Sequence, residues 1–216
     1  EGLQSVGEVN ATDADGDTLL FSIIGGPDQG LFDLNSSTGV LSFKNAPDFE
    51  SPLDDDADNT YQVSVQVSDG TAQPAQNIQV LVTNQNEAPL FTSLGNQVVF
   101  ENQAFVSELN ATDPDGDPLV FSIIGGPDHA LFDLNASSGA LSFINAPDFD
   151  NPDDNDSDNL YLLTVQVTDG EFNATQYLQV SVIDQNEAPL FTSLPNQVVD
   201  EEQAYVCDLN ATDPEG

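Results

Sequence analysis

The sequence repeats itself at long range. ATDADGDTLLFSIIGGPD (11–28) returns as ATDPDGDPLVFSIIGGPD (111–128), and the same shift superimposes most of the remaining positions. A period of about 100 residues is longer than a solenoid unit, so it predicts an array of whole domains, each closing its own core. The expected boundaries are 1–88 for the first repeat, 89–188 for the second and 189–216 for the start of a third. The chain begins inside one motif and stops at Asp-Pro-Glu-Gly inside another, so it reads as a segment of a longer protein.

Within a repeat the hydrophobic period is two, not 3.6. In YLLTVQVTDG, Leu163, Val165 and Val167 alternate with Thr164, Gln166 and Thr168, as in a strand with one buried and one wet face. TQYLQVSVID does the same with Leu178, Val180 and Val182. NQVVFEN, AFVSELNAT and PLVFSII read as further strands, and LFDLNASSGALSF reads as a hairpin in which Gly139 supplies a positive φ. About seven short strands per hundred residues predict an all-β fold of tandem seven-stranded Greek-key, Ig-like β-sandwiches in an elongated array.

Charge then narrows the function. There are 38 Asp and Glu against a single Lys or Arg, a formal net charge of -37. Nucleic acid is excluded as a partner because phosphate binding needs Lys and Arg, and an anionic membrane surface is disfavoured for the same reason. No stretch is long and apolar enough to span a membrane, so no membrane insertion is expected in this segment. Cys207 is the one cysteine, which leaves no intrachain disulfide and suits a small, half-buried strand residue. A chain this acidic either repels itself into disorder or binds cations, and the regular strand pattern favours cations.

The acids are not scattered. The link NQNEAPLF (84–91) recurs as DQNEAPLF (184–191), each time after an alternating strand and before a second strand candidate near Gln97 or Gln197. Three other acidic motifs recur in register. A Glu stands in the opening strand (Glu1, Glu101). A D-x-D-G-D turn gives Asp13, Asp15 and Asp17, then Asp113, Asp115 and Asp117. An A-P-D-F-E/D turn gives Asp48 and Glu50, then Asp148 and Asp150. Asp69 and Asp169 close the sixth strand. If the first and last strands run to opposite poles, the D-F-E turn and the link lie at the bottom of one repeat. The D-x-D turn and strand-six Asp of the next repeat then lie at its top. Carboxylates, amide oxygens and carbonyls at short spacing suit a hard cation, Ca2+ above all. D-x-D-G-D is not an EF-hand loop, since Ile24 occupies the place of the closing Glu.

These motifs together resemble cadherin domains in the form found in bacterial and other non-animal surface proteins. The resemblance rests on ATDADGD and ATDPDGD, FDLNSSTGVLSF and FDLNASSGALSF, the DFE and DFD turns, VQVSDG and VQVTDG, and the N/D-Q-N-E-A-P link. It implies Ca2+ at each inter-repeat junction, stiffening a rod of domains. Carried over, the first junction takes Glu1, Asp48, Glu50, Asn86 and Glu87 from repeat one with Asp113, Asp115 and Asp169 from repeat two. The second takes Glu101, Asp148, Asp150, Asp184, Asn186 and Glu187, then Asp213 and Glu215. Asp13, Asp15 and Asp69 are the matching top-pole acids of repeat one. Asn84 stands where the second link has Asp184, so the two junctions are expected to differ in affinity.

The runs SPLDDDADN (51–59) and NPDDNDSDN (151–159) are either a further cation site or a solvated acidic loop. N-x-S/T sequons at Asn10, Asn35, Asn110, Asn135, Asn155, Asn173 and Asn210 offer N-glycan sites if the chain is extracellular, secreted or cell-surface. His129 is matched by Gln29 and reads as a surface loop residue. The leading function is a calcium-dependent structural and adhesive module of a long repeat protein. Its partners would be neighbouring repeats of the same chain, with homophilic or glycan contacts. The alternative is a surface polysaccharide-binding module, which needs an exposed aromatic platform from Tyr61, Tyr161, Phe172 or Tyr177. Paired acids also occur in glycosidases, but acids that recur at domain joints suit ligation better than catalysis, so no enzyme is expected.

Overall fold

The computed structural model describes residues 1–193, 195–196, 198–202 and 204–213. It divides into two compact units, Glu1–Asn86 and Glu87–Gly216. The first contains β1 (Ser5–Glu8), β2 (Leu20–Gly25), β3 (Phe32–Leu34), β4 (Val40–Phe43), β5 (Thr60–Ser68) and β6 (Ala75–Leu81). They form two sheets, ordered β1-β4-β3 and β2-β5-β6. The inward residues of both sheets share one core, in which Phe32, Leu41 and Phe43 meet Tyr61, Val63 and Val65. Period-two alternation does this directly. Along β5 the buried positions are Tyr61, Val63 and Val65, and the polar residues between them face outward. The rings interlock, with Phe43 edge-on to Tyr61 at 5.0 Å and stacked on Phe32 at 4.6 Å.

The second unit repeats this plan and adds strands from the link. Its elements are β7 (Leu90–Phe91), β8 (Asn96–Phe100), β9 (Phe105–Glu108), β10 (Ala111–Thr112), β11 (Val120–Gly125), β12 (Phe132–Leu134), β13 (Ala140–Phe143), β14 (Leu160–Thr168) and β15 (Asn173–Ile183). β16 (Leu190–Phe191) and β17 (Ala211–Thr212) follow. One sheet runs β12-β13-β9, the other β11-β14-β15-β8. Leu163, Val165, Val167, Leu178, Val180 and Val182 are all buried in a single core with Phe132, Leu141 and Phe143.

The predicted hairpin closes as anticipated. Asn135 accepts the Ser137 and Ser138 N–H groups at 3.0 Å on its side-chain oxygen, and Gly139 follows at φ +71°. Glycine is required twice over at this position. An L side chain resists that φ, and a Cβ would also sit 2.2 Å from the Leu109 carbonyl oxygen.

Three sequence expectations change. The first and last strands do not run to opposite poles, because β8 pairs parallel with β15 from Gln179↔Asn96 to Ile183↔Phe100. Both therefore run to the same pole, and the chain leaving β8 arrives beside the chain leaving β15. AFVSELNAT is not one strand, since β9 pairs with β13 while β10 pairs with β7, and the buried Leu109 lies between them. The short β7 and β16, formed by the Leu-Phe that ends each link, had no period long enough to signal them. Cys207 is half-buried, as expected, but lies outside any strand. Of the strand candidate near Gln197, that residue itself lies outside the described residues, and 198–202 form no strand. Among the described residues no helix is long and apolar enough to cross a membrane.

Candidate metal centre

The parallel pairing of β8 and β15 is what builds the bottom pole of the second unit. Glu101, the residue after β8, is only 1% exposed. Its Oε2 accepts the Phe149 N–H of the D-F-D turn at 2.9 Å, and its Oε1 accepts the Gln185 N–H of the link at 2.8 Å. One carboxylate thus ties together the strand end, the turn and the link. Asp184 and Glu187 bring carboxylate oxygens to Glu101, all within 4.8 Å of one another. Glu187 is held by the Asn102 amide at 2.8 Å, and Asn186 turns its side chain back onto the Glu187 carbonyl at 2.9 Å. Asp148 caps its own turn by accepting the Asn151 N–H at 3.0 Å, with Asp150 exposed in the same turn.

The first unit has the same pole. Glu1 accepts Phe49 N–H at 2.6 Å and Gln85 N–H at 3.1 Å. Oxygens of Glu1, Asp48 and Glu50 lie within 4.8 Å of one another, and Asp48 accepts the Ser51 N–H at 3.0 Å. Asn86 is half-buried at the end of this unit.

At the D-x-D turns the backbone folds around the leading aspartate. Asp13 Oδ1 accepts N–H groups of Asp15 at 2.8 Å and Asp17 at 3.1 Å. In the second unit Asp113 Oδ1 accepts Asp117 N–H at 3.2 Å, and Asp113, Asp115 and Asp117 gather oxygens within 4.8 Å. Asp113 Oδ2 is shielded from solvent and has no hydrogen-bond partner among the described residues. Glu87, opening this unit, donates its N–H to Asp115 at 2.8 Å, which fixes the start of the unit to its own D-x-D turn. Asp69 accepts Thr71 N–H at 2.6 Å and Ala72 N–H at 2.7 Å, and these bonds hold its carboxyl below the usual carboxylate range. Asp169 makes the same pair of bonds to Glu171 and Phe172. Asp213 is exposed just after β17, and Glu215 lies outside the described residues.

This donor set fits a hard cation. Every ligand candidate is an oxygen, and no lysine or arginine exists in residues 87–216 to neutralise it. The one lysine of the chain, Lys44, donates to the Gly30 carbonyl at 2.6 Å.

The sequence reading missed Asp28 and Asp128. They are buried, and each accepts two backbone N–H groups: Asp55 at 2.8 Å and Gln62 at 2.6 Å, then Asn155 at 2.8 Å and Leu162 at 2.7 Å. Their recurrence in GGPD was the available signal. The glycan platform changes more. Tyr61 and Tyr161 are each 1% exposed and packed on core phenylalanines, so neither can stack on a sugar. Phe172 and Tyr177 are exposed. His129 is a surface residue of a 3-10 turn, with its ring on the Gly126 carbonyl.

Residues 86–182 match a family model described as a bacterial Ig domain. Protocadherin-15 of Mus musculus is 32% identical over 234 residues, covering 98% of this chain, and the chain spans 11% of that relative's length. In a human Protocadherin-24 EC1-2 crystal structure the likeness reaches a TM-score of 0.55 at 24% identity, covering 82% of this chain and 87% of that one. Mouse Cadherin-23 EC22-24 gives 0.55 at 20% identity, covering 98% and 71%. The fold is the Ig-like β-sandwich of cadherin extracellular repeats.

Proposed function

We propose that this chain of cadherin-like β-sandwich repeats is a calcium-dependent structural and adhesive segment of an extracellular repeat protein. Ca2+ is held at the bottom pole of each repeat by the opening Glu, the D-F-E/D turn and the link. The next repeat contributes its D-x-D-G-D turn and strand-six Asp. The ligands are those named from the sequence: Glu1, Asp48, Glu50, Asn86 and Glu87 with Asp113, Asp115 and Asp169, and the Glu101 set with Asp213 and Glu215. Shared ions make consecutive repeats behave as one stiff body. Emptied, the like charges repel. No catalytic role is assigned to these acids.

The observation that carries this reading is Glu101. A carboxylate buried to 1% exposure, with Asp184 and Glu187 oxygens within 4.8 Å, has no cationic side chain in its unit. Two N–H bonds stabilise the buried Glu101 charge, but three carboxylates this close repel one another, which costs free energy. A divalent ion removes that cost. The similarity to protocadherin and cadherin-23 repeats supports adhesion and an extracellular setting, and homophilic contacts are part of this proposal.

Thermal unfolding with and without calcium tests the proposal. Ca2+ at about 100 times its Kd adds about 2.7 kcal/mol per site, which raises Tm on the order of 10 °C for a domain of this size. Glu101→Gln is expected to lose the part of that calcium-dependent rise that belongs to the Glu101 set, leaving the part from the Glu1 set. A Tm indifferent to Ca2+ and chelator would sink the reading.

A further inference from the structure

The loop between the D-F-E/D turn and β5 or β14 lies away from the strand-end carboxylates in sequence, and it is more than a solvated acidic run. Asp54, Asp56 and Asp58 bring carboxylate oxygens within 4.8 Å of one another. Asp54 is 7% exposed, and its Oδ1 is shielded from solvent with no hydrogen-bond partner among the described residues. Its Oδ2 accepts the Asp58 N–H at 2.8 Å, which holds the carboxylate in the loop. Asn59, 8% exposed, donates its amide to the Phe49 carbonyl at 3.0 Å and leaves a second shielded oxygen, Oδ1, without a partner.

The spacing matters as much as the grouping. Acids at positions 1, 3 and 5 followed by a residue in the left-handed region at position 6 is the first half of a calcium loop, where the sharp turn brings the next carbonyl inward. Asn59 occupies that sixth position at φ +64°. Residues that could supply the closing bidentate Glu are absent, as Val65 stands twelfth. The second repeat keeps most of this arrangement with a changed sequence. Asp154 is 5% exposed and accepts the Asp158 N–H at 2.9 Å on Oδ2, while its Oδ1 accepts the Asn159 N–H at 3.3 Å. Asn159 sits at φ +63°, and the Asn159 Oδ1 is shielded with no hydrogen-bond partner among the described residues. The intervening residues differ between copies, Asp55 and Ala57 against Asn155 and Ser157, while the three acids and the Asn persist.

We infer that Asp54, Asp56, Asp58 and Asn59, and separately Asp154, Asp156, Asp158 and Asn159, form a second class of divalent-cation site within each repeat. This site takes Ca2+ with modest affinity, since it lacks the closing Glu, and it stiffens the loop leading into the long central strand. It stands independently of the inter-repeat ions.

Tyrosine reports on this site. Tyr61 accepts the Leu53 N–H at 3.2 Å on its phenol oxygen, one residue before Asp54. Terbium, a Ca2+ surrogate excited through tyrosine, should therefore emit from the loop. In the full chain, Asp56→Asn with Asp156→Asn is expected to bind two fewer Ca2+ by calorimetry, one per loop, and to lose tyrosine-sensitised terbium emission. Glu101→Gln keeps that emission, which separates the two classes of site. Unchanged stoichiometry and emission in the double variant overturn the inference. If the variant does not fold, Mn2+ added to the unaltered 15N-labelled chain decides. Broadening of the Ala57, Asp58, Ser157 and Asp158 amides supports the site, and sharp signals there overturn it.

Discussion

Glu101 and Tyr161 show how far a single residue can be read. That Glu101 matters was legible, because Glu1 recurs with it in register, although neither lies in the strand expected of it: Glu101 follows β8 and Glu1 precedes β1. Its hydrogen bonds to Phe149 and Gln185 were not, since they depend on contacts 48 and 84 residues away along the chain. Tyr161 was misjudged although its signal was present. Two residues before Leu163, it shares the parity of the buried Leu163, Val165 and Val167, and it packs against Phe132 and Phe143. Burial pushes its phenol above the usual tyrosine range. The unfolded chain then ionises first, so stability holds below the ordinary pKa and declines as pH rises past about 10. Alkaline titration followed by absorbance, with Tyr161→Phe as the difference control, should show that Tyr161, 1% exposed, ionises only as the fold is lost. Ionisation of Tyr161 in the ordinary tyrosine range with the fold intact would contradict the burial.

At the scale of elements, periodicity carried most of the weight. β14 and β15 were visible because their alternation runs for 9 and 11 residues. β7, β10 and β16 were invisible because 2 residues carry no period. The direction of β8 relative to β15 was also beyond reach. Alternation fixes which face is buried and says nothing about parallel or antiparallel pairing. The hairpin is the opposite case, where one residue sets the geometry. Gly139→Ala must move the Leu109 carbonyl or abandon φ +71°, because the new Cβ would meet that oxygen at 2.2 Å. The expected loss is at least about 2 kcal/mol, read as a lower midpoint in urea with an unchanged slope. A midpoint equal to that of the unaltered chain would show that the hairpin tolerates a shift.

For the molecule as a whole, charge is the governing fact. With 38 carboxyl groups and one lysine, the chain can neutralise almost none of its acids internally. Side chains and backbone N–H groups position the carboxylates, as at Asp13, Asp69 and Glu101, and leave the compensation of charge to cations. This explains why acids cluster at turns and strand ends while β5 and β14 carry none. It also explains why the candidate site was more legible than the topology. Candidate ligand acids recur in register in the sequence, whereas pairing order emerges only from folding.

Small-angle scattering of the full chain, first in millimolar Ca2+ and then in excess chelator, tests the central claim most directly. The account predicts that chelation shortens the maximum dimension and broadens the distance distribution while the β-sheet circular dichroism persists. Scattering profiles that superimpose in the two buffers would contradict it.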